Sequence, residues 1–204
     1  MRDFILSILK ICFFVVIIPI VLATTMALRQ ELLMVSSVSQ EYFYLGIIVY
    51  IFVYLFVYDF KEFHLTAQNI ATEMFKLIPA VDRLAPYFFP VYCLFTLVAY
   101  AFFGRLLKIG PGLEYYFGVL GFTLALHVVM TAREFYDDDK RVWKPNYFFS
   151  LSLSYIATVF VVVLVVDWII ADFSFAHFFH LLYQSTNNTY EDVFRYFWKF
   201  IKKF

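Results

Sequence analysis

Residues 147–170 read YFFSLSLSYIATVFVVVLVVDWII, and across that stretch Asp167 is the single carboxylate or cationic side chain. A bilayer hydrocarbon core needs about 20 consecutive apolar residues in a helix. Inside it every backbone N–H and C=O must be satisfied within the segment, which leaves the helix as the way through. A buried helix of a soluble protein would be shorter and would carry a polar face. Pro145 precedes the stretch and suits a first helical turn, where its missing N–H costs nothing. This segment therefore reads as a transmembrane helix and sets the class of the whole chain.

Working outward, four further stretches have the same character. Residues 113–131 follow the breaker Gly110-Pro111-Gly112. Residues 87–103 follow Pro86, which again suits a helix opening. Residues 43–58 are short for a span unless Glu41 or Asp59 lies among the headgroups. Residues 4–28 hold Pro19 in their interior, where a kink is expected. The apolar run 11–28 exceeds the roughly 7–15 residues of a signal-peptide core, so it reads as a retained signal anchor. The expected fold is an all-α integral membrane protein, a bundle of about five transmembrane helices.

Composition agrees. Hydrophobic residues make up 63% and charged residues 16%, and the charges cluster between the apolar stretches. Too little polar sequence remains to coat a soluble domain. A net charge of zero lacks the basic face that a nucleic-acid binder requires. Cys12 and Cys93 both fall within apolar runs and read as packing residues. Tyr42, Tyr87, Tyr115, Tyr116, Trp143, Tyr147 and Trp168 stand at the expected span ends, where amphipathic rings prefer the membrane interface.

Orientation follows from Lys and Arg in the short loops. A cytoplasmic N-terminus puts Arg2, Lys10, Lys61, Lys76, Arg83, Arg133, Lys140, Arg141 and Lys144 inside, against Arg29, Arg105 and Lys108 outside. Five crossings then leave the C-terminus on the opposite side, so that Arg195, Lys199, Lys202 and Lys203 offend the same rule.

Outside the spans, the Ser36–Gln40 stretch reads as a polar turn. Residues 63–84 carry apolar side chains at helical period with Glu73, Lys76 and Asp82 opposite, so an amphipathic surface helix is expected there, bent at Pro79. Residues 1–172 thus form one polytopic domain and residues 173–204 an interfacial tail. In the tail, Thr189 and Asp192 suggest a helix start. Tyr190, Phe194, Phe197, Trp198 and Ile201 then supply an apolar surface for the interface or a partner.

Chemistry is sparse. His127 is the one histidine within an expected span, and an intramembrane ionisable group is a functional candidate by default. The plainer reading is a neutral imidazole bonded to a neighbouring helix. Heme would need a second axial ligand, and His64, His177 and His180 lie outside the spans, so no cofactor is expected. Tyr50, Tyr54 and Tyr58 recur along one helix face, which suits a helix contact or a polar pathway. Gly121 and Ala125 form a small-residue face, as do Ser150, Ser154 and Thr158, and small residues let helices approach closely. Glu134, Asp137 and Asp138 form an acidic loop cluster, and His177 with His180 a weak metal candidate; neither has the spacing of an established metal site. There is no His-Glu-x-x-His, P-loop, Gly-x-Ser-x-Gly or dinucleotide fingerprint. The leading expectation is a non-catalytic membrane subunit that anchors partner proteins in a homo- or hetero-oligomeric complex. A transport-pathway subunit using His127 is the alternative, and a lipid-modifying enzyme the weaker one.

Overall fold

A computed structural model describes residues 2–78, 81, 84–108, 112–139, 145–170 and 173–202. These are helical throughout, apart from short connections: α1 (Arg2–Leu32), α2 (Ser37–Phe56), α3 (Lys61–Phe75), α4 (Ala85–Phe88), α5 (Val91–Ala99), a π-helical turn (Tyr100–Leu106), α6 (Leu113–Asp139), α7 (Pro145–Ile169) and α8 (Phe175–Ile201). Among the described residues, three helices are long and apolar enough to cross a membrane, namely Ser37–Phe56, Leu113–Asp137 and Tyr147–Ile169. The chain is a multi-pass helical membrane protein.

The second span is longer than its sequence suggests at the N-terminal end. Ser36 Oγ accepts from the Ser39 backbone N–H at 3.3 Å and so caps α2. Gln40 Nε2 donates to the Val35 carbonyl at 2.8 Å. The expected polar turn at 36–40 is therefore mostly the first helical turn, because serine at the cap satisfies an amide that would otherwise lack a partner. The resulting 20 residues rise about 30 Å, enough for a full crossing.

The third expected span is not one helix. Pro86 opens only the four-residue α4, and the chain breaks at Phe89-Pro90 before α5 begins. Proline disfavours helical backbone in the residue before it, and Phe89 is extended at φ −104°, ψ 100°. The uninterrupted apolar run is Val91–Leu106, which at 1.5 Å per residue rises about 24 Å, short of the roughly 30 Å core.

Glycine sets the tightest packing. Helices α2 and α6 run parallel, with Tyr42 beside Tyr115, Tyr50 beside Phe122, and Asp59 joined to Arg133. Gly46 lies against the Gly118 carbonyl and Gly121 against the Phe43 carbonyl. A Cβ on either would fall well inside 3.0 Å of the facing backbone, so the two main chains touch because these residues carry no side chain.

Helix α8 lies antiparallel along α1. Glu31, near the end of α1, meets His177 at the start of α8, and Tyr190 Oη donates to the Val16 carbonyl at 2.5 Å. Between Glu31 and Val16 the shared path is about 22 Å. No helix starts at Thr189: its hydroxyl bonds the Ser185 carbonyl one turn back, at 2.7 Å, inside a continuous helix. The start is at Ser174, whose Oγ accepts from the His177 backbone N–H at 3.3 Å. Capping competes with the local i−4 bond, and at Thr189 the i−4 bond wins.

Candidate functional site: a buried histidine pair beside a polar cavity

The break between α4 and α5 creates a demand that the neighbouring helices meet. With Pro90 in the chain, the Tyr87 and Phe88 carbonyls lose regular helical partners, and an unsatisfied carbonyl at membrane depth costs several kcal/mol. His127 Nε2 sits 3.2 Å from the Tyr87 oxygen, and Ser154 Oγ donates to the same oxygen at 2.5 Å. Thr158 Oγ1, one turn beyond Ser154 on α7, donates to the Phe88 oxygen at 3.4 Å. A carbonyl can only accept, so this contact puts the His127 proton on Nε2. The serine and threonine face expected for close packing thus stands against the broken segment.

His127 is 5% exposed, and α3 brings a second imidazole to it. His64 is 3% exposed, with ring centroids 6.0 Å apart. Neither His64 ring nitrogen has a hydrogen-bond partner among the described residues. The nearest carboxylate is Glu134, whose Oε2 lies 3.5 Å from His64 Nε2, an electrostatic contact too long for a good hydrogen bond. Gln68, one turn along from His64, donates to the same Glu134 oxygen. Glu134 and His64 border a cavity of about 210 Å³ together with Lys61, Leu65, Met130, Arg133 and Asp137. At its rim Arg133 holds Asp59 at 2.7 Å. That guanidinium keeps the Asp59 carboxyl below its ordinary range, first through the hydrogen bond and also through its charge.

The pair was hidden in the sequence because the buried face of α3 keeps Ala67 and Ala71 of the expected apolar stripe but adds His64 and Gln68, which that stripe leaves out. His64, Ala67, Gln68 and Ala71 point inward, whereas Phe63, Met74, Leu77 and Ile78 are exposed. The expected helix over 63–84 ends at Phe75. The legible signal was the spacing of His64 and Gln68, two polar residues one turn apart beside small alanines.

The other candidates are distributed more widely. Tyr50 is fully buried against Tyr54, Phe60 and Phe122, and its hydroxyl has no hydrogen-bond partner among the described residues. Tyr58 leaves that stripe, since α2 ends at Phe56; it packs on Phe60 and is largely exposed. Ala125 packs beside Tyr50 and Leu126, and Ser150 is half-buried near the start of α7. Phe194 and Trp198 are exposed on α8, with Lys202 Nζ 5.8 Å from the Trp198 ring. The side chains of Asp138, Phe197 and Ile201 lie outside the described residues.

His177 and His180 do not converge. His177 Nδ1 contacts Glu31 Oε1 at 2.5 Å, and His180 Nε2 contacts Gln184 at 2.8 Å. Among the described residues no three His, Cys, Asp or Glu side chains come together as a metal site would require. Glu31 went unnoticed in the sequence, being one charge in the loop-flanking Arg29-Gln30-Glu31. It is 1% exposed, and its second oxygen receives the Ser174 N–H at 3.5 Å, where the N-terminal end of α8 favours negative charge.

Fold and site together define a polytopic α-helical membrane protein with a polar cluster at one end of its bundle. No protein-family model matches the chain, and neither does a curated protein or a solved structure.

Proposed function

We propose that this chain is a component of a membrane transport pathway in which His64, His127 and Glu134 bind and release a proton. The observation that supports this is two imidazoles, each at most 5% exposed, 6.0 Å apart, beside a carboxylate that opens on a cavity. Buried titratable groups brought together are expensive and occur preferentially where a proton or polar solute is handled. Two imidazolium charges at this spacing would repel, so the geometry suits no more than one positive ring at a time. Glu134 is the exchange point with the cavity.

The test is proton flux in proteoliposomes containing a pH-sensitive dye. The wild type should show a flux that H64Q and H127Q each abolish while thermal stability is retained. Flux unchanged in both variants would refute the reading.

We also propose that both termini lie on one side of the membrane. The path of α8 back along α1 carries Arg195, Lys199 and Lys202 toward the end that holds Arg2 and Lys10, which removes the conflict with the charge rule. On this reading the crossings are the five expected from the sequence, Val91–Leu106 being a short one, with α8 as a return. Thiol labelling of a cysteine placed at Lys202 should report the same side as one placed at Arg2.

Partner anchoring is favoured by a different observation. His180, Gln184, Asn187 and Asn188 are exposed along α8 at the depth of the apolar α1 run. Amides facing hydrocarbon need a hydrogen-bonding neighbour. A chain co-purifying in fixed stoichiometry, and lost on N187L/N188L substitution, would support that role.

A further inference from the structure

Helices α1, α2, α6 and α7 leave a second cavity of about 350 Å³, bordered by Leu28, Ile47, Ile51, Leu124 and Val128 among others. Its polar members are few. Thr25 and Tyr155 satisfy each other, hydroxyl to hydroxyl, at 2.8 Å. Arg29 stands near the end of α1, and Tyr44 near the start of α2 borders the same end. The Arg29 guanidinium has no ion-pair or hydrogen-bond partner among the described residues. No aspartate or glutamate borders the cavity.

We propose that this groove holds an acyl chain of an anionic phospholipid whose phosphate pairs with Arg29. Three features select that occupant. The wall is aliphatic and runs along the helix axes, about 10 Å from Tyr44 to Ile51, which suits an extended hydrocarbon chain. The free guanidinium lies where α1 ends, at headgroup depth, and its planar fork matches phosphate oxygens. No carboxylate lines the groove beside Arg29, so headgroups of net negative charge bind there better than zwitterionic ones. The Tyr44 hydroxyl is a second donor for the same phosphate.

Native mass spectrometry of the full chain released from bilayers of mixed phosphatidylglycerol and phosphatidylcholine tests this. Wild type should retain phosphatidylglycerol with a preference of roughly fivefold, as expected for one interfacial cation. Arg29→Gln should abolish the preference, and Arg29→Lys should keep part of it. Ile51→Trp, at a position 45% exposed and so tolerant of volume, should reduce retention of both lipids by filling the groove. An unchanged preference in Arg29→Gln would overturn the headgroup assignment, and unchanged retention in Ile51→Trp would overturn the acyl-chain assignment. Saturable, Arg29-dependent binding of inorganic phosphate that excludes the lipid would show a free-anion site instead.

Discussion

Replacing Gly46 with alanine should force α2 away from α6. A Cβ there would lie 2.9 Å from the Phe122 nitrogen and closer still to the Gly118 carbonyl oxygen, whereas side-chain carbons essentially never come within 3.0 Å. The obstacles are main-chain atoms of a packed helix, so no rotamer change relieves them and the helices must part. Overpacking of this kind costs about 1–3 kcal/mol, and a rigid obstacle puts Gly46→Ala at the upper end. Lipid offers no hydrophobic drive to hold helices together, so lost close packing is not recovered elsewhere. Gly118→Ala supplies the control, because its Cβ would sit 3.5 Å from the Tyr42 oxygen, an ordinary contact. Reversible unfolding in mixed detergent micelles, followed by far-UV circular dichroism, should show a large loss for Gly46→Ala and about none for Gly118→Ala. Equal stability of the two variants would mean that the backbones do not touch as described.

Further outcomes follow from the polar contacts. His177→Ala leaves the Glu31 carboxylate buried without its imidazole and should destabilise the protein by about 1–3 kcal/mol, with α8 becoming protease-sensitive before the rest. Ser154→Ala should cost about 1 kcal/mol, and the cycle with His127→Ala should be non-additive, because both donors serve the Tyr87 carbonyl and the second loss orphans it. The Asp59–Arg133 link should respond to acid. Asp59 has its carboxyl held below the ordinary value, so the contribution is fully present above that value and is lost as pH falls through the lowered one. Between neutral pH and the ordinary carboxylate range, the stability contributed by Asp59 should therefore not vary with pH, and the difference between wild type and Asp59→Asn should shrink only in stronger acid. High salt should shrink it too, since the pair is exposed.

Hydrophobic composition and segment length determined the solvent of this chain, because burying a backbone in hydrocarbon requires long apolar helices whatever their partners. Residues 113–131 and 147–170 are legible for that reason alone, and Ser36 as a cap is local chemistry that the sequence holds in plain view. Other features depended on what lies across space. Pro90 reads as one more residue of an apolar run until the chain bends around it. His127, Ser154 and Thr158 acquire meaning only when the freed Tyr87 and Phe88 carbonyls are set before them. Glu31 and His177 are 146 residues apart and meet because α8 folds back on α1. His64 stood outside the apolar stripe of its segment, since an amphipathic pattern records which residues are apolar and not which face meets protein or lipid. In a membrane both faces of a helix can be apolar, so hydrophobic period loses its power to name the inside. Tertiary packing decided that, and with it the pairing of the two histidines.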